Sequence, residues 1–258
     1  MRTKAFLLLV AVVSLLAGSC AGDALDEEAT VDAVRVTTSL AATTTTAPPT
    51  TTTTIDGPPT LEESLGVRSG AGSLVGPGSY RSASSEVPIE YSLGAEASAV
   101  IAPVFVAFGP PGFDPFSYPT LTVSTLSGVP TAESINEFND SPNPPVAPIA
   151  SGDDLTAFLS DTPGIALLDS GTTDTFAWWD FTTIADGTGF ACPWGTACRN
   201  VVAAENHGYF VIGEEWTVRL WRFESEPESV YVWLQAPSEA FDDGLEWGTG
   251  IVDGMTVG

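Results

Sequence analysis

The sequence predicts one α+β domain, a mainly antiparallel sheet with two helices packed on it, preceded by a disordered Thr/Pro tether. Three observations support this prediction. Short β-rich segments dominate residues 78–258, Gly and Pro turns separate them, and only two stretches have the apolar spacing of a helix. Such a mixture of strands with few helices is typical of the α+β class.

The predicted strands are short apolar segments bounded by turn-forming residues. They cover residues 87–93, 98–108, 118–124, 165–168, 175–183, 200–204, 208–212, 216–223, 229–235 and 255–257. Short turns at residues 213–215 and 225–228 separate the last three long segments. We therefore expect these three to form an antiparallel meander.

Two helices are predicted. The first begins at Ser151 and stops at Pro163-Gly164. Its apolar residues have i, i+3, i+4 spacing and are Leu155, Phe158 and Leu159. The second is expected to begin at a Ser238 cap and to bury Phe241, Leu245 and Trp247.

The N-terminus has the pattern of an export signal. Arg2 and Lys4 precede an apolar run over residues 5–16, which is too short to span a bilayer comfortably. The following Ala17-Gly18-Ser19-Cys20 resembles a relaxed lipobox, with alanine where leucine is commonest. We expect residues 1–19 to be a signal peptide and Cys20 to be lipidated, which places the protein at the outer side of the cell membrane. Cleavage without lipidation, giving a freely secreted protein, is the alternative.

Residues 20–77 have the composition of a linker. An acidic opening is followed by threonine runs and by Pro48-Pro49, with few apolar residues. Such a segment cannot bury enough surface to offset its ordering entropy. We expect it to be disordered, to hold the domain at residues 78–258 away from the lipid, and to be a candidate stalk for O-glycosylation.

The chain has three cysteines, and with Cys20 lipidated the other two remain. Cys192 and Cys198 form a C-x5-C loop, which predicts a disulfide in an oxidising compartment. A loop this small would stabilise the fold by roughly 2 kcal/mol. The alternative is a metal site made by both thiols, His207 and a carboxylate.

The composition is strongly acidic, with 33 acidic and 8 basic residues and a formal net charge of −25. A field of this sign repels phosphate backbones, which argues against nucleic acid as a partner. Solubility outside the cell is the simplest explanation. Calcium is the functional alternative, but no D-x-[DN]-x-[DN]-G loop is present and Asp153-Asp154 and Asp242-Asp243 are only adjacent pairs. We predict no cofactor and no metal site.

The order of elements over most of residues 78–258 is similar to that of a group of actinobacterial extracytoplasmic lipoproteins. The resemblance lies in residues 78–82, in the 154–159 helix before Pro163-Gly164, in the small cysteine loop, and in residues 230–237 with the helix that follows. It carries no established activity. More distantly, the layout resembles PsbP-type sandwiches, which are binding and assembly modules, and this likeness concerns the fold alone.

One local motif points to catalysis. Residues 166–173 resemble the hydrophobic-Asp-Ser/Thr-Gly-Ser/Thr signature of aspartic proteases, with Asp169 as the catalytic residue. That chemistry needs two facing aspartates that share a proton. The chain has no second such motif, so a protease would have to be a homodimer. An ordinary Asp-Ser-Gly turn between two strands is the alternative.

Aromatic residues indicate a candidate ligand platform. All seven tryptophans lie between Trp178 and Trp247, and both faces of the 216–223 and 229–235 strands are apolar or aromatic. Either a helix covers the second face, or an exposed platform remains for glycan, lipid or protein. Its residues would be Arg219, Trp221, Tyr231 and Trp233.

Together these features favour a membrane-anchored extracytoplasmic binding or accessory module without a catalytic role. The candidate partners are the membrane, through the anchor, and an envelope protein, glycan or lipid. A homodimeric aspartic protease using Asp169 is the first alternative, and a structural envelope or adhesion protein is the second.

Overall fold

A computed structural model describes residues 57–65, 72–82, 87–112, 119–192, 197–204 and 207–258. The signal peptide, Cys20 and the threonine runs of the tether lie outside the described residues. The described residues contain three α-helices: α1 (Leu61–Leu65), α2 (Gly152–Asp161) and α3 (Phe241–Val252), with a 3₁₀ turn at Ser238–Ala240 before α3.

Sixteen strands make up most of the remaining described structure. They are β1 (Ser73–Val75), β2 (Gly78–Arg81), β3 (Ile89–Leu93), β4 (Ala97–Ile101), β5 (Phe105–Gly109), β6 (Thr120–Thr125), β7 (Val129–Pro130), β8 (Val146–Ala147), β9 (Ile165–Thr172), β10 (Ala177–Thr183), β11 (Phe190–Ala191), β12 (Ala197–Ala204), β13 (Gly208–Gly213), β14 (Trp216–Phe223), β15 (Val230–Pro237) and β16 (Thr256–Val257).

Eight of these strands form the central sheet, in the order β1-β4-β5-β6-β15-β14-β10-β9. Every neighbouring pair is antiparallel. Two three-stranded sheets, β11-β12-β13 and β16-β3-β2, and the β7-β8 pair complete the set. The expected mainly antiparallel architecture with a few short helices is confirmed.

The expected meander over the last three long strands is wrong. β14 and β15 pair as predicted, but the other neighbour of β14 is β10, and β13 pairs with β12 in a separate sheet. The turn at residues 213–215 therefore carries the chain from one sheet to another. Glu215, its last residue, has a φ of 61°, in the left-handed region.

The first face of the central sheet packs against α3, α1 and the β16-β3-β2 sheet. Its core residues alternate along the strands, as the period of two requires. They include Val106, Phe108, Leu121, Val123, Trp221, Phe223, Val230, Val232 and Leu234. Leu61 and Val75 belong to the same core, so the folded part begins before Gly78, where the sequence analysis placed its boundary.

The second face packs against α2 and the β11-β12-β13 sheet. Its core includes Leu155, Leu159, Trp179, Phe181, Val201, Ile212, Val218, Leu220, Tyr231 and Trp233. Both faces of the central sheet are therefore buried. Two small sheets supply much of the cover that the sequence analysis assigned to the helices.

Helix α2 has the predicted start and stop. The Asp154 amide donates to Ser151 Oγ at 3.3 Å, and the Ser151 amide donates to Asp154 Oδ2 at 2.8 Å, which is a capping box. Leu155 and Leu159 are buried one turn apart. Trp179 Nε1 on β10 donates to Thr156 Oγ1 at 2.8 Å and ties the helix to the sheet.

Helix α3 begins later than predicted. Ser238 does not cap it, because the Ser238 hydroxyl donates to the Glu215 carbonyl at 2.7 Å and Ala240 occupies the N-cap position. Phe241 is buried as expected, and Leu245 and Trp247 are half-buried against the first core.

Candidate functional site

The predicted aromatic platform is buried. Trp221, Tyr231 and Trp233 are each less than 4% exposed, because both faces of the central sheet are covered. The register also separates them: Trp221 lies opposite Val232, so its side chain is on the first face, whereas Tyr231 and Trp233 belong to the second core. These three residues do not form a shared exposed surface.

Arg219 is engaged within the sheet. It lies opposite Asp180 on β10, and its Nε donates to Asp180 Oδ1 at 2.5 Å while Nη2 donates to Oδ2. The guanidinium carbon is 4.5 Å from the centroid of the Trp178 ring. Arg219 therefore has a paired, stacked environment that sequence reasoning missed, because Asp180 is 39 positions away in the chain.

Asp169 lies within β9, the edge strand of the central sheet, rather than in a turn. Its side chain is exposed, and the Ser170 amide donates to Asp169 Oδ1 at 2.9 Å. Asp169, Ser170 and Gly171 are all ladder partners of β10 residues. In the protease signature the aspartate lies in a loop, and the alternative prediction was an ordinary turn between two strands. The structure shows neither, because Asp169 is part of a paired strand.

The two later cysteines pair as predicted. Cys192 and Cys198 are joined, with their Cα atoms 5.5 Å apart, and they link the end of β11 to β12. Since each thiol bonds to the other, neither is free for the metal alternative. His207 packs against the rings of Phe105 and Phe210 at centroid distances of 4.9 and 4.7 Å, and burial lowers the pKa of its imidazole.

Next to the disulfide lies Arg199, a fully buried arginine on β12. Its Nη1 donates to Thr188 Oγ1 at 3.0 Å and to the Asn136 side-chain oxygen, and its Nη2 donates to the Ile184 carbonyl at 3.2 Å and to the Asp186 carboxylate. One guanidinium therefore joins two loops, residues 131–141 and 184–189, to the β12 strand.

Carboxylates balance the buried charge. Asp186 pairs directly with Arg199, and Glu214 Oε1 lies 3.6 Å from Arg199 Nη2. The hydroxyl and amide of Thr188, followed by Arg199, hold the pKa of Asp186 below its ordinary value. A buried charge costs several kcal/mol unless it is paired in this way, so the loops and the arginine depend on each other.

The same two loops display apolar side chains at the surface. Phe138 is 66% exposed and Ile184 is 44% exposed. Both lie close to the Arg199 network in sequence: Phe138 is two residues from Asn136, and the Ile184 carbonyl itself accepts from Arg199. The Phe138 ring packs edge-on against half-buried Phe190, with centroids 5.9 Å apart. We call Phe138, Ile184 and Phe190 the Phe138 patch.

Acidic side chains are the exposed charges of these loops. Glu133, Glu137, Asp140 and Asp186 are exposed, and residues 131–141 and 184–191 contain no lysine or arginine. The nearest cation that the structure shows is Arg199, which is buried and paired. The Phe138 patch is therefore an apolar surface flanked by negative charge.

A separate shallow cleft lies between α3 and the turn from β3 to β4. It has a volume of about 190 Å³ and a mainly apolar lining that includes Leu93, Ala97, Trp247 and Ile251. The polar groups that orient a ligand in most small-molecule sites are scarce there.

No helix among the residues that the structure describes is both long and apolar enough to cross a bilayer.

Sequence reasoning missed the Phe138 patch. Its signal was an aromatic residue in the polar segment Asn136-Glu137-Phe138-Asn139-Asp140, together with Arg199 beside Cys198 in a mainly apolar strand.

Comparison with known proteins adds no further assignment: the chain matches no protein-family model, no curated protein and no solved structure.

Proposed function

We propose that this protein is a lipid-anchored extracytoplasmic accessory module that binds an envelope partner through the Phe138 patch and catalyses no reaction. The observation that carries the proposal is the position of Phe138 and Ile184 on two loops joined by the buried Arg199 network. Isolated exposed apolar residues are ordinary on protein surfaces. A rigid apolar group with a polar rim has the arrangement of a protein interface.

The anchor and tether complete the proposal. Lipidation of Cys20 and the linker that follows it would tether the domain to the membrane. The described fold begins at about residue 57, so part of residues 20–77 belongs to the domain and not to the linker. Replacing Cys20 by serine (Cys20→Ser) should move the protein from the detergent phase to the aqueous phase in detergent partitioning. Partitioning of both proteins into the aqueous phase would contradict lipidation and leave a freely secreted protein.

Site-specific photo-crosslinking tests the binding role. A benzophenone amino acid at position 138 of the full chain should give a discrete adduct in intact cells, since this side chain would be buried in the complex. The matched control is the same group at position 74, because Leu74 is 58% exposed on the short edge strand β1. Equal adducts from both positions, or none from position 138, would contradict the proposal.

The aspartic protease remains the principal alternative, and one observation favours keeping it. Asp169 is exposed on an edge strand, where pairing with a second copy would bring two such residues together. The protease alternative requires a dimer in solution and a peptide-cleaving activity that is lost in the Asp169→Asn variant. A monomer by sedimentation would eliminate it. A structural envelope or adhesion role would be left if neither the crosslink nor the cleavage is found.

A further inference from the structure

The chemistry of the Phe138 patch limits the kind of partner it can bind. Its apolar side chains are the Phe138 ring, which packs against Phe190, and Ile184 on the second loop that Arg199 joins. An interface with this centre gains most of its free energy from burying apolar side chains of the partner. A purely polar ligand would leave the Phe138 ring without a complementary surface.

The rim of the patch determines the charge of the partner. Exposed charges in the two loops are carboxylates, at Glu133, Glu137, Asp140 and Asp186. The other described arginines lie on different elements. Arg81 is on β2, and Arg219 and Arg222 are on β14, where they pair with Asp180 and Glu224. With a formal net charge of −25 on the whole chain, long-range attraction also favours a cationic partner.

The two conditions disfavour the other ligand classes. An anionic membrane surface would be repelled by the rim, and a nucleic acid would be repelled in the same way. A neutral glycan would bury little of the exposed aliphatic side chain of Ile184, and it has no positive charge to pair with the carboxylates of the rim. A polypeptide segment can present apolar and basic side chains next to each other.

We infer that the Phe138 patch binds a basic polypeptide segment that packs an apolar side chain against the exposed Phe138 ring. This inference rests on the proposed function and names the class of its partner. The segment is short, because the apolar centre consists of three side chains, and its Lys and Arg residues pair with the exposed carboxylates Glu133, Glu137 and Asp140. Arg199 holds the two loops in place before binding, which reduces the ordering cost.

Direct binding to synthetic peptides tests the inference. Three fluorescent peptides of equal length would be titrated with the purified full chain in detergent: one with Leu and Lys, one with Leu and Glu, and one with Ser and Lys. The Leu/Lys peptide should bind at least about tenfold more tightly than either of the others, because it alone matches both the centre and the rim. Its affinity should fall as salt is raised.

Variants locate the binding surface. Phe138→Ser should weaken Leu/Lys peptide binding by about tenfold, and Leu74→Ser, a change of the same kind at another exposed site, should leave it unaltered. Both variants should keep the wild-type melting temperature, since each side chain is exposed. Equal binding by wild type and Phe138→Ser would reveal general charge attraction and overturn the inference.

The remaining outcomes separate this inference from the proposed function. Tighter binding of the Leu/Glu peptide, or a lack of binding by the Leu/Lys peptide, overturns the inference even when a crosslink forms at position 138. Binding to zwitterionic vesicles that is lost in Phe138→Ser overturns it in favour of lipid. Failure of the crosslink itself removes the proposed function.

Discussion

The guanidinium of Arg199 lies directly against the backbone of Gly164. A Cβ built on Gly164 would be 2.2 Å from Arg199 Cζ, much closer than real Cβ contacts. Gly164 also has a φ of +80°, in the left-handed region that favours glycine. The chain therefore needs glycine here for two independent reasons, at the residue that ends the α2 connection and precedes β9.

The Gly164→Ala variant tests this contact. We expect it to lower the free energy of unfolding by about 3 kcal/mol, since it adds backbone strain and displaces a fully buried arginine. Gly187→Ala is the control, because Gly187 has a φ of +75° but nothing within 4 Å of the added Cβ. It should cost only about 1 kcal/mol. Equal losses in urea unfolding would show that Arg199 moves aside freely.

The Asp186 carboxylate predicts a pH dependence of stability. Its pKa is lowered in the folded protein, so its contribution is present above the ordinary pKa, about 3.9, and is lost as the pH falls through the folded value. Asp186→Asn should therefore be less stable than wild type at neutral pH, and the difference should shrink below about pH 4. Melting temperatures measured from neutral to acid pH would check this.

Thr188→Val provides the matched test of the cause. The Thr188 hydroxyl donates to Asp186 Oδ1 at 2.7 Å, and its removal should raise the Asp186 pKa toward the ordinary value. Acid destabilisation should then begin at a higher pH than in wild type. A pH profile identical to that of wild type would mean that Thr188 does not stabilise the charged form.

The disulfide predicts a modest, local contribution to stability. Cys192 and Cys198 are six positions apart, so closing this loop should stabilise the fold by roughly 2 kcal/mol. The Cys192→Ser/Cys198→Ser double variant should remain folded and unfold at lower denaturant. Wild type treated with reductant should match the double variant, and complete unfolding of either would contradict a local role.

Burial of Trp233 predicts a large effect on stability. Trp233 is 2% exposed and packs against Phe210 with ring centroids 4.5 Å apart, so Trp233→Ala should cost about 3 kcal/mol or more. Trp178→Ala, at a half-buried site, should cost less. A stable Trp233→Ala protein would support the exposed platform that the fold rules out.

Elements with local causes were predictable. Helix α2 follows from Ser151 and Asp154, which cap its first turn, and from the Leu155 and Leu159 spacing. The β14–β15 pair follows from two alternating segments joined by a short turn. In each case the interacting residues are close in sequence, so the pattern already contains the physical cause.

Elements that depend on residues far apart in the sequence were not predictable. The place of β13 in a separate sheet depends on β12, and the cover over Trp221 and Trp233 comes from elements on opposite sides of the central sheet. The sequence shows the alternation within β14 and within β15, but it does not show which residues of the two strands share a face. Trp221 lies on the first face, and Tyr231 and Trp233 lie on the second. A shift of one position in register exchanges the two faces, and only pairing fixes it.

The sequence alone determined the acidic charge, the mainly antiparallel class, helix α2 and the pairing of the two later cysteines. Tertiary structure decided which aromatic rings are buried, which carboxylate pairs with Arg219, and how Arg199 joins the two loops of the Phe138 patch. The reason is sequence distance. Arg199 and Asn136 are 63 positions apart, and no local pattern encodes which remote donor and acceptor meet in a buried site.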